Sequence, residues 1–355
     1  MIEVLESILP YIKGLWTLPW ILVGFIVTLL LSHFFEEEKI NKIMKKIGLI
    51  LLYFFVPLLL FKIFLGVDFH ENEIIFTGIC FIVLSMTYAI AYLYSRYKAD
   101  KLKLKDEEKK HFLKTALTNQ GRSSAFVGGA LLAISSWRTP AAIYMSIGAI
   151  FLFAIIPYIL SHLHKKDTKK TGGYSKVHAL PWYLRIFPWY LLVFAFAAIT
   201  LHALVGVTPK SFGYSASTIF DFFTSLTIPA ALYYVGSGIH IRDLKKDELK
   251  KLFGLEKYTS ENHWAWVRNI FFLTVVITPI IVVLIFSPML CLDIIPNEWF
   301  VVIVINSILP ITSTNMFLVP YGIDKKTTAH SVTWTTIVCV PIVVLLIYVF
   351  SMYLV

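Results

Sequence analysis

Two polar clusters interrupt long apolar stretches of this 355-residue chain. The first reads Asn119-Gln120-Gly121-Arg122-Ser123-Ser124, with Gly128 and Gly129 a few residues on. The second reads Asn306-Ser307, then Pro310, then Thr312-Ser313-Thr314-Asn315. Pro310 has no amide hydrogen and collides with the turn before it, so it breaks a helix. Gly121, Gly128 and Gly129 weaken one. Lipid cannot satisfy the amides so freed, and interrupted helices occur only where protein or a water-filled cavity surrounds them. Half-helix N-termini are electropositive and suit a carboxylate. Arg122 follows the first break directly, and its planar fork offers a carboxylate two hydrogen bonds. The pattern predicts an anion site formed by Asn119, Gln120, Gly121, Arg122, Ser123, Asn306, Pro310, Thr312, Ser313, Thr314 and Asn315. The competing reading for the small polar residues is close helix packing. For Arg122 it is a structural pair with a carbonyl or carboxylate.

Other reactive residues are sparse. Lys62 is the second cation inside an apolar stretch; it joins the predicted substrate-binding set, or snorkels to water from about two turns inside its span. Asp68, Glu73, Asp221 and Glu298 fall near stretch ends, so no buried carboxylate is expected to couple sodium or protons. His33 and His202, also near ends, read as interface residues. Gly236-Ser237-Gly238 invites a serine nucleophile, but only His240 lies close by in sequence, and a nucleophile needs a base within reach. No His-Glu-x-x-His or paired-Asp motif appears. Cys80, Cys291 and Cys339 have neither metal nor disulfide spacing. The expectation is a protein with no catalytic residues, no metal and no cofactor.

The elements that must position these residues follow from hydropathy. Hydrophobic residues make up 57% of the chain and charged ones 15%, against about 25% charged in soluble domains. Mean hydropathy is +0.74. Crossing a bilayer core of about 30 Å takes roughly 20 apolar residues. Ten such stretches are read: 15–35, 47–65, 74–94, 115–134, 140–160, 186–206, 218–238, 269–287, 298–319 and 328–352. The first is too long for a secretory signal, and no small-residue cleavage site precedes a mature domain. Alternate connecting segments (36–46, 95–114, 161–185, 239–268 and 320–327) hold 27 of the 32 Lys and Arg. The other connections hold Lys13, Arg138 and Lys210 alone, which leaves Lys62 and Arg122 within spans. Cytoplasmic loops retain Lys and Arg, so both termini are expected outside. The net charge of +10 is thereby explained without a nucleic-acid partner. Lys-rich 99–110 and 161–185 suit contact with anionic membrane lipid. Eight of nine tryptophans fall at or near stretch ends, as interfacial rings do.

An internal repeat organises the spans. Pro57-Leu58-Leu59-Leu60-Phe61 with Gly66 matches Pro229-Ala230-Ala231-Leu232-Tyr233 with Gly238 at an offset of 172 residues. The charge pattern makes these two stretches run in opposite directions, which is the inverted-repeat plan of secondary transporters. The predicted division is a first repeat over 1–164, a cytoplasmic connector over 165–185 and a second repeat over 186–355. The fold expected is an all-α membrane protein of ten helices, with the fourth and ninth broken.

These residues resemble the auxin efflux carrier family of transporters. The likeness rests on Pro57 to Phe61; on Pro229, Ala231, Leu232, Gly236 and Gly238; on Asn119 and Gly121; and on Pro310, Tyr321 and Gly322. Ser124 and Phe126 stand where the family pattern has Gly and Pro. The resemblance covers the whole chain in span order. It implies two inverted five-helix repeats, a scaffold and a moving transport domain, substrate at the crossing of helices four and nine, and a homodimer. It also implies a small organic anion as substrate, carried in an elevator-like movement across the plasma or inner membrane. The alternatives are a sodium-coupled bile-acid-type symporter and a channel or membrane sensor on a transporter fold.

Overall fold

The structure, a computed structural model, describes residues 2–12, 19–66, 70–124, 128–160, 182–237, 246–253, 255, 263–312, 315, 318 and 322–354. Regular structure among them is helical throughout. Helix α1 (Ile2–Ile8) precedes α2 (Trp20–Phe34). Helix α3 (Glu37–Ile50) passes through a π-turn at Leu51–Phe55 into α4 (Val56–Phe64). Then come α5 (Glu71–Lys101), α6 (Asp106–Thr118), a 3-10 turn at Gly128–Ala133, and α7 (Arg138–Ile150), which continues into a π-turn at Phe151–Ile155. The second half contains α8 (Trp182–Val205), α9 (Tyr214–Ser237), α10 (Lys246–Phe253) and α11 (His263–Phe272). A π-turn at Leu273–Ile277 joins α11 to α12 (Thr278–Cys291), and α13 (Asn297–Ile308) and α14 (Lys325–Tyr353) complete the chain.

Four continuous helical stretches are long and apolar enough to cross a bilayer: Lys42–Phe64, Glu71–Lys101, His263–Cys291 and Lys325–Tyr353. Large apolar side chains stand on their outward faces. Ile82, Leu284 and Leu345 are each at least 60% exposed, a surface that water would not tolerate and lipid would. The chain is a helical membrane protein.

Several helices outrun the apolar stretches that announce them. Helix α3 begins ten residues before 47, inside a segment read as a basic loop. Helix α5 continues to Lys101, and α10 lies within the connection 239–268. Hydropathy marks where lipid begins, not where backbone hydrogen bonding stops. The ends are stabilised locally instead. The His70 amide donates to Glu73 Oε2 (2.9 Å) at the start of α5, while Lys98 and Lys101 occupy its last turn, facing the negative pole of the helix. At α14 the Thr327 amide donates to Asp324 Oδ1 (2.6 Å).

Packing sorts the helices into two groups, each drawing on both halves of the chain. Helix α2 packs on α9, and α4 packs on α8 and α9. Here two glycines permit an unusually close approach: a Cβ on Gly24 would strike the Tyr233 carbonyl oxygen, and one on Gly236 would strike that of Ile21. Gly236 therefore serves helix contact. In the other group α5 packs on α6 and α7, α11 on α14, and α12 on α13. Helix α7 also touches α4 and α8, joining the groups. The connector 165–185 falls mostly outside the described residues, and α8 begins within it, at Trp182.

Candidate functional site

The fourth and ninth apolar stretches do not form through-going helices. Helix α6 stops at Thr118 and α13 at Ile308. Pro310 explains the second stop. The residue before a proline is pushed out of the α region, and Leu309 is extended, with φ −55° and ψ 147°. Beyond these ends the two segments meet as a minimal antiparallel bridge centred on Arg122 and Ile311. The Ser123 amide donates to the Pro310 carbonyl (2.9 Å), and the Thr312 amide donates to the Gly121 carbonyl (2.9 Å). Two broken helices thus satisfy each other's backbone within the protein, as an apolar surrounding demands.

Gly121 has a different role from the one its type suggests. A Cβ there would lie 2.6 Å from Asn315 Oδ1 and 2.7 Å from Leu152 Cδ1. The position needs glycine for space at the crossing, beyond any weakening of the helix. Asn315 Nδ2 faces the Gly121 carbonyl at 3.5 Å.

Arg122 lies at the centre and is 9% exposed. Its Nη2 donates to Gln120 Oε1 (3.2 Å). Its Nε and Nη1 are buried without hydrogen-bond partners among the described residues. Tyr88 of α5, Tyr144 of α7 and Cys339 of α14 lie within electrostatic reach of it. No Asp or Glu among the described residues is buried. A buried guanidinium with two unused donors and no carboxylate nearby is costly to maintain.

The other sequence-predicted residues divide. Asn119, Gln120, Ser123, Asn306, Thr312 and Asn315 are all buried near the two helix ends. Asn119 Nδ2 donates to the Thr115 carbonyl (2.7 Å) and to Thr328 Oγ1 (3.2 Å). Asn306 Nδ2 turns back to the Val302 carbonyl (2.8 Å) within its own helix. Gly128 and Gly129 open the 3-10 turn that follows the crossing. Ser313, Thr314 and Tyr321 lie outside the described residues. Lys62 joins another place altogether: it pairs with Asp221 Oδ1 (2.6 Å) and donates to Thr224 Oγ1 (3.1 Å), both on α9.

One contribution to the crossing is absent from the predicted set. Helix α14 presents Thr327, Thr328, Ser331 and Thr335, all fully buried. Thr335 Oγ1 accepts from the Ile311 amide (3.1 Å), the donor left beside the bridge. The Asp324 amide donates to Thr115 Oγ1 (2.9 Å), tying α14 to α6 from below. The signal was present in the sequence: hydroxyls recur at 328, 331 and 335, one helical face of the last span. Asp324 and the hydroxyl row fix the crossing against α14 much as a cap fixes a helix end.

No protein-family model matches the chain, and no curated protein matches it.

Proposed function

We propose that this protein is a secondary transporter of the auxin efflux carrier kind, moving a small organic anion across the cell membrane by alternating access. The substrate class is a carboxylate, auxin-like or dicarboxylate. In this reading the chain has ten spans in two inverted five-helix repeats, with both termini outside, and functions as a homodimer. Helices α2, α3–α4, α8 and α9 form the scaffold. Helices α5 to α7 and α11 to α14 carry the substrate, in an elevator-like movement, at the crossing of the fourth and ninth spans.

The observation that carries this reading is Arg122. It is buried between two broken helices, with Nε and Nη1 unpartnered among the described residues. A charge left without a buried carboxylate among the described residues is matched by one that a ligand brings. Nη2 carries a second hydrogen beside the one given to Gln120, and together with Nε or with Nη1 it fits a carboxylate in two parallel hydrogen bonds. The alternation of basic loops, the repeated Pro-Leu-aromatic-Gly motif and the backbone bridge at residues 121–123 and 310–312 support the same reading.

The test is uptake of radiolabelled carboxylates into proteoliposomes holding the purified protein. Wild type accumulates a carboxylate against exchange with the unlabelled compound. Arg122→Ala abolishes uptake while its melting temperature without ligand stays near that of wild type, and Arg122→Lys retains a part. Uptake at the wild-type rate in Arg122→Ala sinks the reading. Flux that never saturates with substrate points to a channel instead.

A second reading, sodium-coupled symport, is favoured by one further observation. Thr118 Oγ1, Asn119 Oδ1, Asn315 Oδ1, Thr327 Oγ1 and Ser331 Oγ are buried oxygens without hydrogen-bond partners among the described residues. Neutral oxygens at broken helices are a means of holding sodium without a carboxylate. Uptake that collapses when choline replaces sodium selects this reading over uniport or exchange.

A further inference from the structure

A cavity of about 560 Å³ opens between α4, α9 and the start of α7, remote in its lining from the crossing residues. Lys62, Arg138 and Lys210 line it, with Asp221, Thr224 and Ser217 among its polar walls. Lys62 is the deepest of the three cations, its side chain 23% exposed, while Arg138 and Lys210 stand exposed at the rim. Arg138 is held in place by its Nε donating to the Leu132 carbonyl (3.0 Å). Lys62 bridges the two groups of hydroxyls and carboxylate on α9 through Asp221 and Thr224.

This gathering is out of proportion to the supply of cations. Outside the five basic segments the chain has only five Lys and Arg: Lys13, Lys62, Arg122, Arg138 and Lys210. Three of them line this one cavity. The segments that bear Arg138 and Lys210 are the ones the charge pattern assigns to the outer face, where positive residues are otherwise almost missing. Among the described residues, three cations against one carboxylate leave the lining with an excess of two positive charges. Low-dielectric walls of one sign focus the field and concentrate counter-ions at the mouth.

We propose that this cavity is a second, shallower anion site that docks small doubly charged anions, short dicarboxylates foremost, on the face opposite the basic loops. Two negative charges match the excess of two positive ones, and the volume lies in the range of small-molecule sites. The site goes beyond the Arg122 reading and uses different residues. Its rim charges are exposed, so its affinity is modest and falls as ionic strength rises. The Lys62–Asp221 pair sets that affinity, since Asp221 competes with the ligand for Lys62.

The experiment is equilibrium binding of radiolabelled succinate to the purified full-length protein at low salt, beside a labelled monocarboxylate. Five proteins are compared: wild type, Arg122→Ala, Arg138→Gln/Lys210→Gln, the combination of all three substitutions, and Arg122→Ala/Asp221→Asn. Arg122→Ala is expected to keep a weak, salt-sensitive succinate component. That component weakens about tenfold in the triple variant, near the lower end of what hydrogen bonds to charged groups contribute. Asp221→Asn beside Arg122→Ala is expected to tighten it severalfold. Succinate binding that vanishes in Arg122→Ala alone, or a weak component that the triple variant keeps unchanged, overturns the cavity site and leaves the Arg122 reading standing. Succinate binding lost in the rim variant but unchanged in Arg122→Ala does the reverse. Wild type that binds the monocarboxylate but no succinate overturns the cavity site alone. No succinate component in Arg122→Ala, beside binding of that protein to vesicles containing phosphatidylglycerol that Arg138→Gln/Lys210→Gln abolishes, assigns the cavity to a lipid headgroup and likewise overturns it.

Discussion

Arg122 and Lys62 are the two cations that the sequence places inside apolar spans, and the structure treats them differently. Lys62 receives a carboxylate from the chain itself, Asp221 at 2.6 Å, in a cavity open to water. Arg122 receives a single amide oxygen and keeps two donors buried and unmatched among the described residues. A cation in a membrane protein needs a counter-charge or water. At Arg122 the described residues supply no buried carboxylate, and on the proposed reading a ligand brings the counter-charge. Where the fold supplies a carboxylate, as at Lys62, the charge is available to attract and to release. On the proposed reading, the pairing of each cation separates a binding centre from a docking surface.

The comparison can be broken most decisively at Arg122. Replacing it with alanine removes the charge that, on the proposed reading, meets a substrate carboxylate. Loss of a buried charged partner costs about 2–5 kcal/mol, so carboxylate affinity or uptake falls by roughly thirtyfold or more. Lys62→Met is expected to leave maximal uptake intact and raise the concentration needed for half-maximal uptake. Equal losses in both variants would erase the distinction. Next in size comes the bridge itself. Thr335→Val removes the acceptor of the buried Ile311 amide, a cost of about 1–3 kcal/mol, seen as a lower melting temperature and slower uptake. Gly121→Ala drives a methyl group toward Asn315 and Leu152. Overpacking of this kind costs about 1–3 kcal/mol, and uptake should fall more than stability because the crossing is displaced. Asp221→Asn has the smallest expected effect on stability. The pair is partly exposed, at 23% and 38%, so its loss costs no more than about 1 kcal/mol, and melting temperature barely moves.

Much of the crossing was legible in the sequence, because its signals are chemical. Pro310 marks a helix end wherever it falls, and the residue before it is extended as proline sterics require. A polar run in an apolar stretch must be shielded, and Asn119 to Ser123 is shielded. The hydroxyl face of α14 was equally present in the residue order, yet threonines and serines in a span also serve helix packing. Only their partners, the Ile311 amide and Asn119, separate the two uses. Lys62 shows what spacing cannot reveal. Its match to Asp221 joins positions 159 residues apart, and nothing local announces which cation will meet which carboxylate. Gly24 and Gly236 are similar: their reciprocal approach needs the packing of α2 on α9 before either glycine has a reason. Helix ends at Glu37 and Lys101 escaped hydropathy because charged residues continue a helix after lipid has ended.

The central claim is that Arg122 awaits an anion, and thermal unfolding tests it most directly. The purified protein is melted in a panel of small organic anions, neutral compounds and cations, with wild type beside Arg122→Lys and Arg122→Ala. A ligand that binds only the folded state raises the melting temperature by mass action. At the concentration that stabilises wild type, a carboxylate is predicted to stabilise Arg122→Lys less and Arg122→Ala not at all. Equal stabilisation of all three proteins by that carboxylate, or stabilisation of wild type by neutral or cationic compounds alone, would contradict the claim.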